Sequence, residues 1–136
     1  MKPHPDRNRL RQLAHEYGVD MLVLFGSQAA GTKHKSSDVD IAYLAGKREL
    51  SLREESMLAA GLAEAIRGGR IDLVPLRQAS PLLAFQIARD GKLLYAAKKS
   101  LFSEFQLRAI RLYNESKPLI ELRKERIQHK VKGYGL

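Results

Sequence analysis

The sequence predicts an α/β fold: about four short strands alternating with helices, followed by a basic helical extension. Three observations carry that expectation. Four apolar runs of strand length recur at Met21–Phe25, Asp38–Leu44, Ile71–Leu76 and Leu93–Tyr95. The stretches around them repeat their apolar residues with helical rather than alternating period. Gly18, Gly26, Gly46, Gly68-Gly69 and Gly91 fall at the boundaries between the two patterns.

Residues 6 to 17 place Leu10, Leu13, Ala14 and Tyr17 on one helical stripe, with Gly18 as a left-handed terminator. The run Met21–Phe25 leads straight into Gly26, as a buried strand ending in a tight turn does. From Gly31 to Ser37 the chain is polar, basic and aperiodic, which predicts a loop. Asp38–Leu44 alternates, with Val39 and Ile41 on one face and Asp38 and Asp40 on the other. After a connection over Gly46–Leu50, Ser51 and Glu54 have capping-box spacing. The helix they open continues through Leu58, Leu62 and Ile66 until Gly68-Gly69 stops it. Ile71–Leu76 is the third strand, with Asp72 as its one acidic interruption. Ser80-Pro81 starts a helix to about Arg89, with Gly91 near its end, and Leu93–Tyr95 is a short fourth strand. Ser100–Tyr113 reads as helix again. Pro118 should end or kink it at about Lys117, leaving 119–132 as a short basic helix or a segment that orders on a partner.

A length of 136 residues holds one compact domain with such an extension, divided here as 1–97 and 98–136. The formal charge of +9 is concentrated: residues 98–136 contribute +6, so a polyanionic or acidic partner is most plausible there. The absence of cysteine excludes disulfides, thiolate catalysis and Cys-ligated metals. The N-terminus has no apolar leader and no segment reaches the roughly 20 apolar residues of a membrane span, so a cytoplasmic location is expected.

Asp38 and Asp40, two residues apart on a strand, direct both carboxylates to one side. Oxygen ligands so placed suit a hard cation such as magnesium, and Asp72 on a neighbouring strand can face them. Without a cation three close carboxylates repel one another. Alone, Asp-x-Asp beside Ser36 and Ser37 also describes a turn or a cap. Gly26-Ser27 after a buried strand, with Gly31 closing the segment GSQAAG, lets a phosphate approach backbone amides at a helix start, though a Gly-Ser pair is more often a plain turn.

Taken together, Gly26-Ser27, ten residues, then Asp38-Val39-Asp40, with a downstream acidic strand residue at Asp72, resembles the signature of the DNA polymerase beta type nucleotidyltransferase superfamily, in its minimal, MNT-like branch. The resemblance covers about residues 6–96. It implies a mixed sheet flanked by helices, the palm-like nucleotidyltransferase fold. It further implies that Asp38 and Asp40 bind Mg2+, that Asp72 helps bind the catalytic ion and activate the attacking hydroxyl, and that Gly26 and Ser27 hold the triphosphate of ATP. Members of this branch often act as antitoxins of HEPN-family toxins, and in such pairs transfer AMP from ATP to a toxin tyrosine. Where many relatives read GSRARG this chain has Gln28 and Ala30, so a basic contact normally made there is either lost or supplied by Lys33, Lys35 or the more distant Lys47.

Two other functions compete. A non-catalytic core would bind nucleotide or toxin and neutralise by complex formation. The basic tail could bind nucleic acid, but it has no helix-turn-helix or zinc-finger spacing, and backbone contacts alone give weak, salt-sensitive binding. A small-molecule acceptor and self-association of the chain also remain open at this point.

Overall fold

The computed structural model describes residues 5–26 and 38–133, with side chains described throughout except at 120 and 128–133. Helix α1 (Arg7–Tyr17) opens where Asp6 accepts a hydrogen bond from the Arg9 amide at 3.2 Å and closes on Gly18 at φ 66°. Its expected stripe is the one that packs: Leu10, Leu13 and Ala14 are buried and Tyr17 is half-buried against the same core. Strand β1 spans Val19–Phe25, starting two residues before the apolar run because a bulge between Val19 and Met21 lets the earlier residues pair with β2.

Strand β2 (Val39–Ala45) is followed by helix α2 (Leu52–Ile66). The capping box forms reciprocally. Ser51 Oγ accepts from the Glu54 amide and Glu54 accepts from the Ser51 amide, both at 3.1 Å, while Arg48 grips the Glu54 carboxylate. That paired, hydrogen-bonded carboxylate has its pKa lowered to about 2, chiefly by the Arg48 contact. Gly61 permits close approach of α1, since a Cβ there would meet Leu13 Cδ2 at 2.6 Å. The helix ends on Arg67, itself left-handed at φ 51°, one residue ahead of the glycine pair expected to stop it.

Strand β3 (Ile71–Pro75) runs into a short 3-10 turn at Leu76–Gln78, so Leu76 leaves the predicted strand. Helix α3 (Pro81–Asp90) is capped by Ser80, and β4 (Lys92–Ala96) follows. Helix α4 then spans Leu101–Gly133. It passes through Pro118, where an end or kink was expected. A proline there removes one amide and costs about 3 kcal/mol of helix propensity. Asn114, the residue whose carbonyl loses its partner, is exposed, so water can take that hydrogen bond.

The strand order is β3-β2-β1-β4, with β1 antiparallel to β2 and β4, and β2 parallel to β3. The sheet is therefore mixed, as the resemblance implied. One face packs Leu22, Ile41 and Tyr43 against Leu10, Leu13, Leu58 and Leu62 of α1 and α2. The other packs Met21, Val23 and Ala42 against Ile87 of α3 and Leu101, Phe102 and Phe105 of α4. Ala84, Ala88 and Ala109 bring α3 and α4 together, Phe85 stacks on Tyr113 at 4.2 Å, and Gln106 donates to the Ala88 carbonyl. Among the described residues no helix is long and apolar enough to cross a membrane.

Candidate active site

The alternation along β2 sorts its residues between the two layers. Val39, Ile41 and Tyr43 enter the core beneath α1 and α2. Asp40 and Ala42 therefore project to the opposite face. There Ala42 is covered by α3, whereas Asp40, one step nearer the strand's start, is only half-buried. Asp38 immediately precedes the strand and is exposed.

Parallel pairing supplies the third carboxylate. Asp40 lies directly opposite Asp72 in the β2–β3 register, and the Val39 amide donates to the Arg70 carbonyl at 2.8 Å to hold the two strand starts level. On its other side Asp40 is opposite Phe25, the last residue of β1. The chain then turns at Gly26 with φ 78°. A Cβ at this position would collide with the Asp40 carboxylate, so both the left-handed backbone and the lack of a side chain are required here.

Three sequence candidates, Asp38, Asp40 and Asp72, thus stand at one end of the sheet, with Gly26 against the middle one. Burial raises the pKa of Asp40, and the negative charges of Asp72 and Asp38 raise it further. A dication reverses that logic, because it favours the ionised form of each carboxylate. The donor set is all oxygen and fits magnesium or manganese rather than a soft metal. The oxygens do not converge into a cage: among the described residues no three Asp, Glu or His side chains are grouped closely enough to hold an ion. Backbone register sets Asp40 beside Asp72, but the carboxylate oxygens are not gathered into one cluster. Ser27, Lys33 and Lys35, and with them His34, Gln28 and Ala30, lie outside the described residues.

Two cations at this end of the sheet escaped the sequence reading. Arg70 stands two residues before Asp72, in the turn between α2 and β3, and Lys92 opens β4 opposite Leu24. Both are exposed. The signal for the first was present in Arg67-Gly68-Gly69-Arg70, read only as a helix stop. The second needed the β1–β4 register.

The family model described as "Polymerase beta, Nucleotidyltransferase" matches residues 8–100. The chain is 34% identical over 135 residues to the protein adenylyltransferase MntA of Aphanizomenon flos-aquae, covering 93% of this chain and 90% of that one. It is similar to a crystal structure of a toxin–antitoxin with AMP-PNP, with TM-score 0.74, 30% identity and coverage of 90% of this chain and 98% of that one. It is also similar to an MNT antitoxin from a complex with the tri-AMPylated HEPN toxin of Shewanella oneidensis, with TM-score 0.68, 26% identity and coverage of 90% and 96%.

Proposed function

The chain belongs to the polymerase beta nucleotidyltransferase family, and from that premise we propose that it is an antitoxin that transfers AMP from ATP to a tyrosine hydroxyl of a HEPN-family toxin. The observation that carries the chemistry is the register of Asp40 on Asp72, with Asp38 two residues away and Gly26 against Asp40. Residues 1–97 carry the reaction and residues 98–136 the partner contact, in the cytoplasm.

Asp38 and Asp40 would hold magnesium, with Asp72 beside Asp40 in the strand register as a further oxygen donor. When bound, the metal lowers the acceptor hydroxyl's pKa and offsets charge on the departing pyrophosphate. The tyrosine oxygen attacks the α-phosphorus, the bond to the bridging α–β oxygen breaks, and pyrophosphate leaves. Asp72, exposed beside Asp40, takes the proton from the acceptor hydroxyl. The turn at Gly26 brings backbone within reach of a phosphate, and Ser27, Lys33 and Lys35 complete the triphosphate contacts. The lysines are assigned this role because GSQAAG itself offers no basic residue.

Incubating the full chain with magnesium, α-labelled ATP and the protein encoded beside it, followed by mass analysis of both, tests the reading. A mass gain of AMP on a tyrosine of the neighbour is the expected result. A stable complex with no transferred label would favour neutralisation by binding alone.

A further inference from the structure

Beyond Tyr113 helix α4 continues for several turns past the part that packs against α3. Its apolar residues do not stop where the packing does. Leu119, Leu122 and Ile127 are 70%, 53% and 58% exposed, and with Leu82 at the start of α3 they floor a groove of about 660 Å³. Isolated exposed leucines are ordinary, but four lining one concavity mark a binding surface. Among the described residues the rim carries Arg123, Lys124 and Arg126 and no carboxylate.

The chemistry of the groove selects its occupant. A second copy of this chain, at +9 overall and with its charge concentrated in the same tail, would bring like charges together over the rim. Nucleic acid would meet aliphatic side chains where stacking requires aromatic ones, and among the described residues no aromatic lines the groove. An amphipathic protein helix with acidic flanks satisfies both the floor and the rim. The groove is built from α3 and α4, the layer that covers the face to which Asp40 projects. Leu82 stands at the start of α3, just after β3 ends, whereas Asp40 and Asp72 stand where β2 and β3 begin, so the groove opens at the other end of the sheet from the carboxylates.

We infer that this groove is the docking site for the acceptor protein, taking an acidic amphipathic helix of the toxin and holding the acceptor by an anchor remote from Asp38, Asp40 and Asp72. This rests on the adenylyl-transfer reading above.

The test compares three full-length variants in AMP transfer to, and calorimetric binding of, the protein encoded beside this one. Leu119→Glu with Leu122→Glu breaks the floor, Arg123→Glu with Arg126→Glu reverses the rim, and Leu107→Glu places the same change on an exposed residue outside the groove. The floor variant is expected to raise KM for the acceptor about tenfold or more with kcat at saturation nearly unchanged, the signature of lost docking rather than lost chemistry. The rim variant is expected to weaken binding most at low salt, and Leu107→Glu to leave both constants alone. Circular dichroism checks that each variant keeps its helices. An unchanged KM in the floor variant, while the wild type transfers AMP normally, overturns the docking site and leaves the enzymatic reading standing. A wild-type dimer by light scattering that the floor variant dissolves would assign the groove to a second copy instead and likewise overturns it. If the wild type neither binds nor labels the neighbour, the enzymatic reading fails and the docking site falls with it.

Discussion

The two faces of the sheet are covered to different extents. Under α1 and α2, Leu10, Leu13, Leu22, Ile41, Leu58 and Leu62 are all but inaccessible, and both helices start on side-chain caps. Under α3 and α4 the cover reaches Met21, Val23 and Ala42 but leaves Asp40 half-buried and Asp72 exposed. The closed face contributes stability. The open end concentrates negative charge that the fold would be better off without, which is the usual mark of residues kept for chemistry.

Substitutions on the two faces should separate these roles. The largest effect is expected at the open end: Asp40→Ala should lower AMP transfer about a thousandfold or more, with a melting temperature equal to or above that of the wild type. Near-normal transfer in that variant would remove Asp40 from the reaction. On the closed face, Leu62→Ala should cost about 2–5 kcal/mol in urea unfolding while preserving activity per folded molecule. A loss of specific activity larger than the loss of folded protein would mean that the two faces are not independent.

Gly26→Ala sits between the roles. Its left-handed backbone costs an alanine about 1–2 kcal/mol, and the added methyl also displaces the Asp40 carboxylate. Transfer should therefore fall further than thermal stability does. The smallest effect concerns pH. A carboxyl whose pKa is raised on folding adds stability that is full below its unfolded pKa and is lost as pH rises through the folded one. Because burial and the neighbouring Asp72 and Asp38 raise Asp40 in this way, Asp40→Asn should be slightly more stable than wild type at neutral pH. The gap should close as pH falls through the acid range. Added magnesium should raise the melting temperature of the wild type and leave that of Asp40→Asn nearly unmoved, a binding readout independent of catalysis.

Much of this was legible locally. Alternation around Val39 and Ile41 placed Asp38 and Asp40 on one side, and the serines at 51 and 80 capped the helices they were expected to cap. What was not legible depended on tertiary context. Arg67 rather than Gly68 adopts the left-handed cap. Pro118 continues a helix that local propensity would break, at a place where solvent can replace the lost hydrogen bond. The bulge that extends β1 to Val19 exists only against β2. Asp72 was identified as an anomaly in its strand, yet only the β2–β3 register puts it directly beside Asp40. The groove on α4 was invisible because Leu82 and Leu119 are far apart in sequence and meet only through the packing of α3 on α4.

The alanine seam between those two helices has a mechanical consequence. From Tyr113 to Gly133 the helix extends roughly 30 Å past the last aromatic that anchors it, at about 1.5 Å per residue. Ala84, Ala88 and Ala109 are the fulcrum of that arm. Enlarging one of them by a few carbons would tilt the rod and carry its distal turns through several ångströms. The direction in which the arm points is thus set by side-chain volume at a hinge it shares with the enzyme core, and sequence drift at three small residues can redirect it while every residue along the arm stays the same.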